Sequence, residues 1–256
     1  MQTRAAKGPY NPPMSDPRAQ ASDTETGLAP GTVRAQFRAE LDEVIRLVYS
    51  SLDEIYSPLR ELAASHIRRV QPPVRAAAVL AAGAREDEPP SLRSRRTLLA
   101  SALELLAVAI NVHALLLNLE DADDASLDKS LVGSTILAGD YCFSRAAVLA
   151  AQTESPVVVE IFSQALKSVS EARLRGTFSS GHPGHNETME LVGAGVRAAA
   201  HLAGLSHEST TAALQVAAGL TAPATAGQTD LAKLSPLQQE RWQAALAWLS
   251  ENHSPV

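Results

Sequence analysis

Apolar residues return every three or four positions from Thr32 onward, and Phe37, Leu41, Ile45, Val48 and Leu52 fall on one side of a helical projection. The spacing predicts a first amphipathic helix that ends near Tyr56. Pro58 suits the first turn of a second helix, running to about Val70, because the N–H that proline lacks has no intrahelical partner there. Pro72 and Pro73 break the chain, and a third apolar run, Val74 to Ala82, stops at Gly83. The polar stretch Ala84 to Pro90 reads as a connection, and Ser91 to Leu119 as the central helix. Glu120 to Lys129 is acidic and without period, as in an exposed loop or a frayed helix end. Helices are predicted again over Thr135 to Ala151 and Val157 to Thr177, parted by Glu154-Ser155-Pro156, where proline fits a helix start and not an interior. Gly181, Pro183 and Gly184 mark a loop from Ser179 to Asn186, and helices resume over Thr188 to Leu205, Glu208 to Leu220 and Pro236 to Ser250. No strand alternation and no repeat breaks this series. The expected organisation is a flexible N-terminal tail over 1–31 and a single all-α, bundle-like domain over 32–256.

Composition agrees: 45% of residues are hydrophobic but only 4% aromatic, and alanine is abundant, which suits close-packed helices better than sheet. The net charge is -6, and no run of Lys or Arg interleaves with aromatics, so nucleic acid is excluded as an expected partner. Leu98 to Leu119 is the most apolar segment, yet Glu104, Asn111 and His113 interrupt it. It falls short of the roughly 18 uninterrupted apolar residues of a membrane span and reads as a buried helix, so no transmembrane segment is expected. Cys142 is the only cysteine, which rules out an internal disulfide and a Cys-based zinc site. With no signal-peptide pattern at the N-terminus, a cytoplasmic protein is expected.

The strongest motif is Ile136-Leu137-Ala138-Gly139-Asp140-Tyr141, continued by Ser144-Arg145-Ala146. It resembles the "A-V-L-A-G-D-Y-L-L-A-R-A" helix of the trans-isoprenyl diphosphate (polyprenyl) synthase family. Leu103-Glu104-Leu105-Leu106 resembles that family's "E-L-I-H", Arg75 to Leu80 its "R-P-L-L-V-L" helix, and Val157 to Gly176 the helix ending "A-E-G-E-L-L-Q". Order and spacing agree over about Val33 to Leu205, and the C-terminal part matches poorly. The resemblance implies an isoprenoid-synthase-like bundle of long antiparallel helices around a central cavity, usually dimeric. In such enzymes an allylic diphosphate is elongated with isopentenyl diphosphate, and Mg²⁺ held by two Asp-Asp-x-x-Asp motifs neutralises the departing diphosphate.

Mapped residue by residue, that chemistry is missing. The first aspartate motif falls on Ala114, Leu115, Leu116, Leu117 and Asn118, and the paired arginines after it fall near Asp123-Asp124, the opposite charge. The Gly-Lys-Arg that contacts isopentenyl diphosphate falls on Gln71-Pro72-Pro73, leaving Arg75 as the one surviving candidate anion contact. The Glu and Gln of "G-E-L-L-Q" become Arg173 and Gly176, and the Lys-Thr pair becomes roughly Gly195-Val196. Ala217 to Gly227 holds no second aspartate motif. No catalytic residue is therefore assigned and no cofactor is expected, with Mg²⁺ entering only if an acidic cluster proves functional.

That cluster is Glu120, Asp123 and Asp124, a displaced metal site if the helix continues, otherwise a solvated loop. His182, His185 and Glu187 carry donor types for a transition metal in what otherwise reads as an ordinary loop. His113 and Asn111 are expected as hydrogen-bonded core residues, Cys142 as a small core residue, and Arg75 as either an anion contact or an arginine on the outside of the bundle. Gly139 and Asp140 are expected to serve fold and assembly. Leu115, Leu116 and Leu117 are expected to line a cavity for an isoprenoid chain. The leading reading is a non-catalytic regulatory or structural subunit, in a homo- or heterodimer with a prenyl diphosphate synthase homologue. Alternatives are a stand-alone isoprenoid or lipid carrier, or an active prenyltransferase with a displaced metal site.

Overall fold

The computed structural model describes residues 30–69, 72–119, 129–178, 186–221 and 231–252, and no strand occurs among them. The helices are α1 (Pro30–Ser50), α2 (Ser57–Arg69), α3 (Val74–Ala82), α4 (Pro90–Leu119), α5 (Lys129–Ala151), α6 (Pro156–Phe178), α7 (Glu187–Ala203), α8 (His207–Thr221) and α9 (Pro236–Asn252). A 3₁₀ turn, Leu231–Lys233, precedes α9. The all-α expectation holds, with two shifted boundaries. α1 stops at Ser50, short of Tyr56, because the hydroxyls of Ser50 and Ser51 both donate to the Leu47 carbonyl and the backbone then turns. α5 starts at Lys129, ahead of Thr135; Val132, Gly133 and Ser134 are only half-buried there, so the added turn shows no apolar period.

α3 is the hub. All nine of its residues are buried, Arg75 included, and it packs on α1, α4, α7, α8 and α9. A helix apolar all round belongs inside a bundle, and Val74 to Ala82 is one. α4 is thirty residues long and apolar enough to cross a bilayer, but 72% of its most apolar stretch is covered by the other helices. From Leu99 to Ile110 every residue of α4 is buried. One hydrophobic cluster runs from Phe37 of α1 to Leu249 of α9. α7 reaches this cluster through Gly195, where a β-carbon would stand 2.7 Å from Leu103 Cδ1 and 2.8 Å from Val79 Cγ2. The position that the resemblance pairs with a lysine is thus a packing contact with no room for a side chain.

α9, predicted over Pro236 to Ser250 in the part where the resemblance is poor, is part of the core. Trp242 is fully buried, and the Gln238 amide donates to the Ala82 carbonyl at 2.9 Å. Its Arg241 reaches Glu40 of α1 through two bonds of 2.8 and 3.0 Å. The same carboxylate accepts from Arg96 Nη2 of α4 at 2.9 Å, while Arg96 Nη1 donates to the Gly83 carbonyl at 2.9 Å. Burial lowers the Arg96 pKa, the Glu40 and Glu88 carboxylates oppose that shift, and neighbouring Arg241 adds to it. Guanidinium stays charged under such conditions, so Glu40, shared by both arginines, and Glu88, paired with Arg96 at 2.5 Å, are what make the two buried charges tolerable.

Candidate functional site

α4 leaves the core just after Ile110. Asn111, His113, Ala114, Leu115 and Leu116 are half-buried, and only Val112 stays covered. α4 packs on α5 and α7, and α6 packs on α5 and α7, whereas α4 and α6 make no extended backbone contact.

Arg173 of α6 reaches both α4 and α7. Its Nη1 donates to the Ile110 carbonyl at 2.7 Å and its Nη2 to Glu187 Oε2 at 2.7 Å, and Nε pairs with Glu187 Oε1. Glu187 opens α7 behind Asn186, whose side chain caps the helix by accepting from the Met189 N–H at 2.9 Å. A carboxylate in a first turn is favoured by the helix dipole, and the guanidinium completes its neutralisation. On the other side of α4, His113 Nε2 lies 3.3 Å from Asp140 Oδ1 of α5, and its ring rests over Gly139.

The structure separates the residues singled out in the sequence. Arg75 is buried and bonded to Glu104 Oε2 through Nε at 3.0 Å and Nη2 at 2.6 Å, while Glu104 Oε1 accepts from the Ala76 N–H at 2.9 Å. The expectation of an arginine on the outside of the bundle is thus corrected: the guanidinium neutralises a buried carboxylate that itself holds the first turn of α3. His113 is corrected as well, since its side chain is 38% exposed at the α4–α5 seam rather than enclosed in the core. Asn111 does bond back to the Ala107 carbonyl at 2.8 Å. Leu115 and Leu116 are half-buried at the end of α4, and the side chain of Leu117 lies outside the described residues. So do Glu120, Asp123, Asp124, His182 and His185, while Glu187 is engaged by Arg173. Cys142 is buried on α5, and burial pushes its thiol up to about 12, which keeps it protonated and unreactive. The Arg173–Glu187 pairing escaped the sequence reading; its only signal was an arginine late in one helix and a carboxylate opening the next.

Mg²⁺ requires several oxygen ligands. Among the described residues, the end of α4 offers Ala114, Leu115 and Leu116 instead of carboxylates. The nearby carboxylates of Asp140 and Glu187 are paired with His113 and Arg173. No group of three potential metal ligands occurs among the described residues. With no cluster of oxygen ligands there, the described donor set at the end of α4 does not fit Mg²⁺.

No family model and no curated protein sequence matches this chain. Solved structures do. A decaprenyl diphosphate synthase from Rhodobacter capsulatus superposes with a TM-score of 0.58 at 18% identity, over 74% of this chain and 62% of that one. A geranylgeranyl pyrophosphate synthase from Lactobacillus brevis gives 0.57 at 14% identity, over 74% and 62%. A polyprenyl synthase from Caulobacter crescentus, crystallised with calcium and isoprenyl diphosphate, gives 0.56 at 21%, over 87% and 80%. The fold is that of the isoprenoid synthases. The chain spans 62% of the length of the first two relatives.

Proposed function

We propose that this chain is a non-catalytic subunit of a prenyl diphosphate synthase, pairing with a homologue that carries out the chemistry. The observation that carries this reading is the end of α4, where Ala114, Leu115 and Leu116 stand at positions that the resemblance gives to the first aspartate motif. Mg²⁺-assisted departure of diphosphate relies on neutralising negative charge, and these described positions carry no carboxylate to recruit the metal. The half-buried Leu115 and Leu116 are suited instead to an apolar isoprenoid chain.

The outer face of α5 supports a partner. Ile136, Leu137 and Val148 are exposed large apolar side chains at helical spacing, in the helix that carries the strongest family-like motif. The partner in this reading is a second isoprenoid-synthase fold, in the cytoplasm. The test is co-expression with a homologue bearing both aspartate motifs, followed by pull-down and assay with an allylic diphosphate, isopentenyl diphosphate and Mg²⁺. The expected outcome is no product from this chain alone, and a change in the partner's product length or rate when the two are together. Product from the isolated chain overturns the proposal.

A further inference from the structure

On α7, Gly195 points at Leu103 and Val79 in the core, whereas Gly193, about 200° round the helix, points at α8. A β-carbon at Gly193 would meet Arg197 Nη1 at 3.4 Å and Leu214 Cδ2 at 4.0 Å. Beside it, between α7 and α8, a hollow of about 200 Å³ is lined by Val192, Leu214 and Ala217, with Glu190 and Arg197 at its wall. We propose that this hollow binds a small zwitterion with an apolar side chain, an α-amino acid of the size of leucine. Its ammonium group sits on Glu190 and its carboxylate on Arg197.

Three observations carry it. First, both charges are unpaired: neither the Glu190 nor the Arg197 side chain makes a hydrogen bond or ion pair with a described residue. Arg197 folds back along α7 until Nη1 lies over Gly193, so the two charges stand within about one helical turn of each other along the axis, yet unjoined. Second, the two signs together select the ligand. A phosphate is drawn to Arg197 and repelled by Glu190, and a simple cation meets the reverse. An uncharged apolar molecule strips water from both charges and gives neither a partner. A zwitterion pairs with both. Third, the hollow has a size and an apolar lining. A cavity of about 150 Å³ holds benzene, so one of about 200 Å³ admits leucine or methionine and is too small for a nucleotide or a prenyl diphosphate. Val192 and Ala217 are buried and Leu214 half-buried, which provides the apolar contact, and Met189 at the rim is unbranched and adapts its shape to the side chain it covers. The hollow faces α8 rather than α3 and α4, so this inference depends neither on the end of α4 nor on a partner subunit.

Isothermal titration of the full chain with L-leucine, L-methionine and L-phenylalanine tests it. The expected result is saturable binding of at least one of them, with a Kd of about 1 mM or tighter. The N-acetyl derivative of that amino acid lacks the cation and its amide lacks the anion, and each is expected to bind about tenfold more weakly or worse. Arg197→Gln and Glu190→Gln are expected to weaken binding of the parent amino acid by a similar factor. Neither residue is in the core, so both variants keep the fold. Gly193→Ala separates binding from stability: alanine is the better helix former, while its methyl group displaces the Arg197 guanidinium from the hollow. It is expected to weaken binding without lowering the melting temperature. No saturable binding of any of the three amino acids overturns the proposal. So does equal binding of the N-acetyl derivative or the amide, or unchanged binding in either glutamine variant.

Discussion

Gly139 lies directly beneath the His113 ring: a β-carbon at 139 would stand 2.2 Å from His113 Nε2 and 2.3 Å from its Cδ2. The glycine of the strongest sequence motif is therefore occupied within the chain, seating α5 on α4, the helix pair with the most extensive contact. Gly139→Ala is expected to destabilise by about 1–3 kcal/mol through overpacking. His113→Ala, added to it, is expected to recover most of that loss, because the obstructing ring is gone. Thermal unfolding of the two single variants and the double variant measures the coupling, and strict additivity would refute the steric account.

The pairing of Glu40 with Arg96 and Arg241 predicts an asymmetric response to substitution. Glu40→Ala takes from buried Arg241 the carboxylate it bonds to, while Arg96 keeps Glu88, and is expected to cost about 3–5 kcal/mol. Arg93, half-exposed and 3.8 Å from Glu40, is peripheral to the same cluster. Its alanine variant is expected to cost less than about 1 kcal/mol. Urea unfolding with unchanged m-values would check both.

Alkaline stability follows from Cys142, whose thiol burial raises from 9.0 to about 12. The native state holds that proton more tightly than the unfolded chain does. The associated stability is complete below the unfolded value and is lost as pH rises towards the folded one, at about 1.4 kcal/mol per pH unit in the interval between. Cys142→Ala is expected to flatten the fall in stability between pH 9.0 and about 12. Tyr141, also shifted upwards mainly by burial, remains in that variant and leaves a residual slope. An unchanged slope would show that the thiol does not control it.

If α5 is the docking face, Leu137→Arg removes association without loss of fold. Leu137 is 59% exposed, so the substitution is expected to leave the melting temperature within about 1 °C of wild type by its small effect on stability. Light scattering, alone and with a catalytic homologue, is expected to show a monomer. Undiminished association would move the interface elsewhere.

The parts of this architecture visible in the sequence are those fixed by local chemistry. α3 was bounded correctly because Pro72-Pro73 and Gly83 mark its ends, and α4 and α6 because their apolar runs start at or next to a proline. The end of α1 was missed because serine hydroxyls turning back on Leu47 look like ordinary polar surface in a sequence. The absent carboxylates at the end of α4 were legible, and the pairings of the buried and half-buried arginines were not. Arg75 pairs with a residue 29 positions away, and Arg173 with an acid across a loop and a carbonyl 63 positions away. Such pairings depend on which helices meet, and no spacing rule anticipates them. The helix α9 was legible but its buried face was not: Gln238 and Arg241 are buried, so polar residues occupy positions that an apolar count assigns to solvent.

The Glu40–Arg241 bond joins residues 201 positions apart. During synthesis the carboxylate therefore emerges long before one of its two buried partners exists, and α1 has to wait for the last helix before its inner face is neutralised. Emergence of α9, rather than completion of the long central helices, becomes the event that permits the native state. A ribosome-stalled chain ending before Pro236 should still be protease-sensitive in α1.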